Sequence, residues 1–129
     1  MKDAALRKEM VAICRRMNAA GINQGTAGNL SLRAGDGFLV TPSGMPYETM
    51  VPEDIVEMDF DGTYAGRRPS SEWRFHRDIL KTRGDINVVL HCHSVYATTL
   101  ACHYKTIPAF HYMTGVAGGS TIRCAKYAT

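Results

Sequence analysis

His91 and His93, separated by one residue, follow directly on the β-branched run Ile86–Leu90. On an extended strand, residues i and i+2 project from the same face, so the two imidazoles converge as a two-toothed clamp for a metal. Imidazole suits zinc, nickel, copper or iron. Cys92, between them, faces the other way and is not counted as a donor. The plainer reading is two polar side chains closing a strand. A zinc site with two histidines needs at least one further protein ligand. Among the remaining histidines, His76 reads as a packed core residue on a helix face and His103 falls at a helix end; His111 is the other one. Glu72 stands at a helix start beside Ser70 and Ser71. A carboxylate there can hold a metal, act as a base, or favour the helix dipole, and the residues alone point to the dipole.

Three small-residue loops form a second group: Gly25-Thr26-Ala27-Gly28-Asn29, Thr41-Pro42-Ser43-Gly44 and Pro69-Ser70-Ser71. Each offers backbone N–H groups, hydroxyls or an amide with little bulk, which is what a phosphate needs. None matches a Walker or dinucleotide fingerprint, and each alone reads as an ordinary turn. Tyr112, ahead of the glycine-rich stretch 115–119, is a proton donor if held near a reacting oxygen, and otherwise a packing or interface tyrosine.

These groups need elements to position them. Residues 3–20 read as an amphipathic helix, with Leu6, Met10, Ile13, Met17 and Ala20 on one face and Gly21 as its stop. Leu30–Arg33 and Phe38–Thr41 read as a hairpin around Gly35-Asp36-Gly37. Pro52–Asp54 reads as one helical turn, Ile55–Asp59 as a strand, and Asp61-Gly62 as a further turn. Ser70 or Ser71 caps a helix that carries Trp73, His76 and Leu80 on one face and ends near Gly84. Ile86–Leu90 reads as a buried strand, and Ser94 as the cap of a helix reaching about Tyr104. Ile107–Met113 and Ser120–Cys124 are further strand candidates.

The chain has 129 residues, 45% of them hydrophobic and 21% charged, which excludes a disordered chain and is the size of one domain, 1–129. Fifteen Lys and Arg against 12 Asp and Glu give +3, too small an excess to argue for nucleic acid. No apolar run is long enough to span a membrane. The charged N-terminal segment lacks a signal-peptide pattern, and the four cysteines form no C-x-x-C pair, so a cytoplasmic protein with reduced thiols is expected.

Taken together and in order, G-T-A-G-N-L-S at 25–31, T-P-S-G at 41–44, P-S-S-E-W-R-F-H at 69–76, H-x-H at 91–93 and I-P-A-x-H-Y-M at 107–113 resemble the class II aldolase/adducin family. The resemblance covers essentially the whole chain. It implies an α/β fold, a three-layer α/β/α sandwich around a mostly antiparallel sheet, of which this chain is the N-terminal part. It also implies a homotetramer with the active site at a subunit interface and a Zn2+ ion, or another divalent metal, held by three histidines. His91 and His93 match two of these, and the third is expected beyond Thr129. Glu72 matches the catalytic acid/base, which can also approach the metal. Gly28, Asn29, Ser43, Gly44, Ser70 and Ser71 match the substrate phosphate pocket, and Tyr112 matches a catalytic tyrosine from a neighbouring subunit. The implied reaction splits a ketose 1-phosphate into dihydroxyacetone phosphate and an aldehyde. An epimerase or dehydratase of the same fold, or a non-catalytic adducin-like interaction module, is the alternative.

Overall fold

The computed structural model describes residues 1–127, which form two compact units, Met1–Cys92 and the residues from His93 onward. The last two residues of the expected domain 1–129 lie outside the described residues.

In the first unit, helix α1 (Ala4–Ala19) precedes strands β1 (Asn29–Ala34) and β2 (Gly37–Val40), a 3-10 turn (Pro52–Asp54), and strands β3 (Val56–Asp59) and β4 (Tyr64–Ala65). Helix α2 (Trp73–Thr82) then leads to β5 (Val88–His91). The sheet order is β4-β3-β2-β1-β5 and every pairing is antiparallel. The first four strands form a meander. The chain then returns through α2 to lay β5 beside β1, with Asn29 opposite His91.

Alternation along the strands divides the core in two. Leu30, Ala34 and Leu39 pack with Met10, Val11 and Cys14 of α1, and with Tyr47, Met50 and Ile55. Phe38, Val40, Val56 and Met58 pack with Leu80 of α2, with Trp73, Ile86 and Val89 against them. One helix therefore covers each face, and the expected three-layer α/β/α arrangement is present within this unit. Arg33 fastens α2 by donating to the carbonyls of Leu80, Arg83 and Ile86, a cation placed at a helix C-terminus where the last carbonyls need donors.

Four expectations are corrected in part. β5 is an edge strand with Val88 and Leu90 exposed, because α2 covers only its Val89 side. The strand stops at His91, so the alternation of a strand does not extend to His93. Helix α2 has Glu72 as its N-cap with no side-chain cap bond; Ser70 Oγ instead accepts from the Glu72 N–H at 3.3 Å. Ala20 is exposed, although Met10 and Met17 on the same stripe are buried.

In the second unit, α3 (Val95–Cys102) follows Ser94, which occupies the N-cap position without a side-chain bond, and His103 is its C-cap. The two strand candidates reduce to a single antiparallel bridge, Ile107 with Ile122. Tyr112 is not on a strand but opens a 3-10 helix, Tyr112–Ala117, whose N-cap His111 accepts from the Met113 N–H. Beyond Ile107 the Phe110 N–H turns back onto the Pro108 carbonyl at 2.9 Å, so the chain leaves the bridge after one residue.

Candidate active site

Both faces of the sheet are built from apolar residues, yet β1 places two polar side chains, Asn29 and Ser31, in full burial. Buried polar groups require partners, and α2 supplies them. Ser31 Oγ lies 2.8 Å from His76 Nδ1, and His76 Nε2 meets Asn29 Oδ1. Asn29 Nδ2 donates to Glu72 Oε2 at 2.6 Å. The same carboxylate oxygen is 2.9 Å from His91 Nδ1. A continuous polar line thus runs from the sheet interior to Glu72 and His91, which are only partly buried. Phe75 fixes the two rings beside it, stacked on His76 at 4.4 Å and edge-on to His91 at 5.3 Å between centroids.

The three small-residue loops meet at the same end of the sheet. Pro42 and Pro69 form an antiparallel bridge, with the Ser43 N–H donating to Arg68 O and the Ser70 N–H to Thr41 O. Thr41 in turn bonds Leu30 twice, its N–H to the Leu30 carbonyl and its Oγ1 to the Leu30 N–H. The loops bearing Asn29, Ser43, Gly44, Ser70 and Ser71 are therefore laced together. Ser43, Gly44 and Ser71 are exposed, whereas Asn29 and Ser70 are buried. The loop before Asn29 is held by Asn23, which donates to Ala27 O and Asn18 Oδ1, and by the Tyr47 hydroxyl, which donates to Gly28 O at 2.9 Å. Burial pushes the Tyr47 phenol well above its usual range, so it remains a donor at neutral pH.

The chain that builds this assembly matches a known family. A family model described as class II aldolase and adducin N-terminal domain matches residues 8–129. The chain belongs to the class II aldolase and adducin family. A 5-methylthioribulose-1-phosphate/5-deoxyribulose-1-phosphate aldolase of Rhodospirillum rubrum is 52% identical over 97% of this chain and 57% of its own length. An L-fuculose phosphate aldolase of Escherichia coli K12 is 45% identical over 100% of this chain and 60% of its own. A solved structure of an L-fuculose 1-phosphate aldolase superposes with a TM-score of 0.93 at 38% identity, covering 100% of this chain and 62% of that one. The chain thus spans about 60% of the length of these relatives.

A class II aldolase implies a metal, and the donors of this domain bear on where one fits. Glu72 Oε2 and His91 Nδ1 offer a carboxylate and an imidazole, chemistry that suits zinc. The two atoms stand 2.9 Å apart. Two ligands on one tetrahedral zinc stand about 3.3 Å apart at bond lengths of about 2.0–2.1 Å, so Glu72 and His91 would hold an ion only if the pair were wider than it is here. Among the described residues no group of three or more His, Cys, Asp or Glu could hold a metal. The first unit brings two candidate donors, Glu72 and His91, close together. His93 belongs to the second unit, where it is exposed one residue before the N-cap of α3. Tyr112, in that unit as well, is 80% exposed with its ring 4.4 Å from that of His111.

Asn23 and Tyr47 lie outside the motifs of the sequence, and Ser31 and Thr41 lie inside them without a site role of their own. His76 was expected as a packed core histidine and is fully buried, but it also links Ser31 to Asn29. Its one signal in the sequence is a polar residue on the Trp73/Leu80 face.

Burial, reinforced by the nearby His91 and opposed by Glu72, lowers the His76 pKa from 6.5 to about 4. The unfolded chain therefore takes up a proton near pH 6.5 that the folded one refuses. Stability is expected to be unaffected by this group above pH 6.5 and to fall as the pH drops from there toward 4. Urea midpoints measured across pH 4–7 check this, and His76→Gln should flatten part of the slope.

Proposed function

We propose that the protein is a cytoplasmic, metal-dependent aldolase that reversibly splits a ketose 1-phosphate between C3 and C4. The products are dihydroxyacetone phosphate and a short aldehyde, lactaldehyde-like if the substrate is L-fuculose 1-phosphate. The observation that carries the reading is Glu72, whose Oε2 is engaged by Asn29 and His91 at the sheet end where the small-residue loops are laced together. The names of the R. rubrum and E. coli relatives support the substrate class.

In this reading Gly28, Asn29, Ser43, Gly44, Ser70 and Ser71 bind the phosphate, and the anchoring aligns C3 and C4 with the catalytic groups. Glu72 delivers a proton to C3 after the bond breaks, and removes it in the synthetic direction. Tyr112, contributed to a neighbouring subunit's site in a homotetramer, takes the proton of the C4 hydroxyl; its exposure supports that assignment. His91 and His93 are the zinc ligands from this chain, with Glu72 adjacent and a third histidine from sequence beyond Thr129. Zinc, when bound, supplies Lewis-acid stabilisation of the negative charge that develops on the substrate oxygens. The match of one family model across 8–129 supports reading both units as parts of one domain. No described helix is long and apolar enough to cross a membrane.

The test is an assay coupled to dihydroxyacetone phosphate formation on L-fuculose 1-phosphate, 5-methylthioribulose 1-phosphate and 5-deoxyribulose 1-phosphate, together with metal analysis. Cleavage of at least one ester, abolished by chelation, is expected. Purified protein with bound metal that leaves all three intact would favour an epimerase or dehydratase. Protein with neither metal nor cleavage would favour an interaction module.

A further inference from the structure

The direction of each hydrogen bond in the Ser31–His76–Asn29–Glu72 line follows from its outer end. An ionised Glu72 can only accept. Asn29 must therefore present its NH2 to Oε2, which turns its carbonyl oxygen toward His76. That oxygen in turn needs a donor, so His76 carries its proton on Nε2. Its Nδ1 is then bare and accepts from the Ser31 hydroxyl. One arrangement satisfies all four side chains, and three of them, Asn29, Ser31 and His76, are buried where an unmade bond is costly. An inverted Asn29 amide would set its carbonyl against the carboxylate and its NH2 against an N–H.

From this geometry we infer that His76 is a positioning residue: held as the Nε2–H tautomer between Ser31 and Asn29, it locks the Asn29 amide so that Glu72 Oε2 stays an acceptor, leaving Oε1 as the proton-carrying oxygen. Oε2 accepts from Asn29 Nδ2, and His91 Nδ1 lies 2.9 Å from the same oxygen, so that oxygen is the crowded one. A proton arriving at Oε1 leaves the Asn29 bond in place. The inference rests on the reading of Glu72 as the acid/base, but the order of the hydrogen bonds can be measured without substrate.

Two amides separate the functions of the two ring nitrogens. Glutamine places its NH2 near the position of Nε2, and asparagine places its amide near that of Nδ1. His76→Gln is expected to keep the donor to Asn29 and recover kcat to within about threefold of wild type. His76→Asn keeps a partner for Ser31, loses the donor to Asn29, and should lower kcat tenfold or more, as outer hydrogen-bond partners do. Imidazole 1H–15N correlation spectra of the wild-type protein should show His76 with a protonated Nε2 and a bare Nδ1. The Asn29 side-chain amide pair should keep its shifts in His76→Gln and lose them in His76→Asn. A wild-type Nδ1–H tautomer overturns the inference, as do equal kcat values for the two variants. Wild-type protein without aldolase activity defeats the functional reading instead, while the spectra still decide the order of the bonds.

Discussion

Replacing Glu72 by glutamine is expected to preserve the fold while slowing exchange of the C3 proton of dihydroxyacetone phosphate about 100-fold or more, equivalent to about 2.7 kcal/mol of barrier. The geometry makes the substitution unusually clean. Asn29 Nδ2 and His91 Nδ1 both converge on Oε2, so the glutamine oxygen takes that place. Its NH2 is thereby directed to the position of Oε1, where it cannot accept a proton. The side chain is 41% exposed and takes no part in either core cluster, so stability should change little. Proton NMR in D2O, following the C3 signal with and without enzyme, measures the exchange directly. An unchanged rate would assign the base to another group and remove the central element of the functional reading.

Much of the architecture was legible because the chain uses strong local signals. The stripe through Met10 and Met17 marked α1, the glycine pair at 35 and 37 marked the hairpin, and Trp73, His76 and Leu80 marked the inner face of α2. The edge placement of β5 was not legible. A β-branched run is the same whether one or both faces are covered, and the order β4-β3-β2-β1-β5 is a property of long-range pairing. The 3-10 helix at Tyr112 was missed because His111-Tyr112-Met113 has strand-like residue types, and the turn is set by Thr114 and His111 bonding over three residues. The site divides the same way. Glu72, Asn29, His91 and the serine loops lie in the motifs that carry the family resemblance. Ser31 and His76 are 45 positions apart and look ordinary until the sheet registers β1 under α2.

Gly28→Ala is expected to cost about 2–5 kcal/mol, combining about 1–2 kcal/mol for a left-handed backbone with about 1–3 kcal/mol for overpacking. Gly28 has φ +73°, and a Cβ there would sit 2.5 Å from Asn23 Oδ1 and 2.6 Å from the carbonyl oxygen of His91. The first neighbour is a side chain that itself holds the loop, and the second is backbone of β5, so neither yields freely. Gly25 supplies the control: its φ is +57° with nothing within 4 Å, so Gly25→Ala should show the backbone cost alone. Urea unfolding of the two variants separates the contributions. The functional consequence follows from register, since Asn29 is next in the chain and is paired across the sheet with His91. A shift that relieves the clash displaces Asn29 relative to His91, and with it the donor to Glu72. Gly28→Ala should therefore lose both stability and aldol cleavage, and Gly25→Ala only a smaller part of the stability. Equal costs in the two variants would show that β5 and the Asn23 loop adjust easily, and that close approach at Gly28 does not hold the site together.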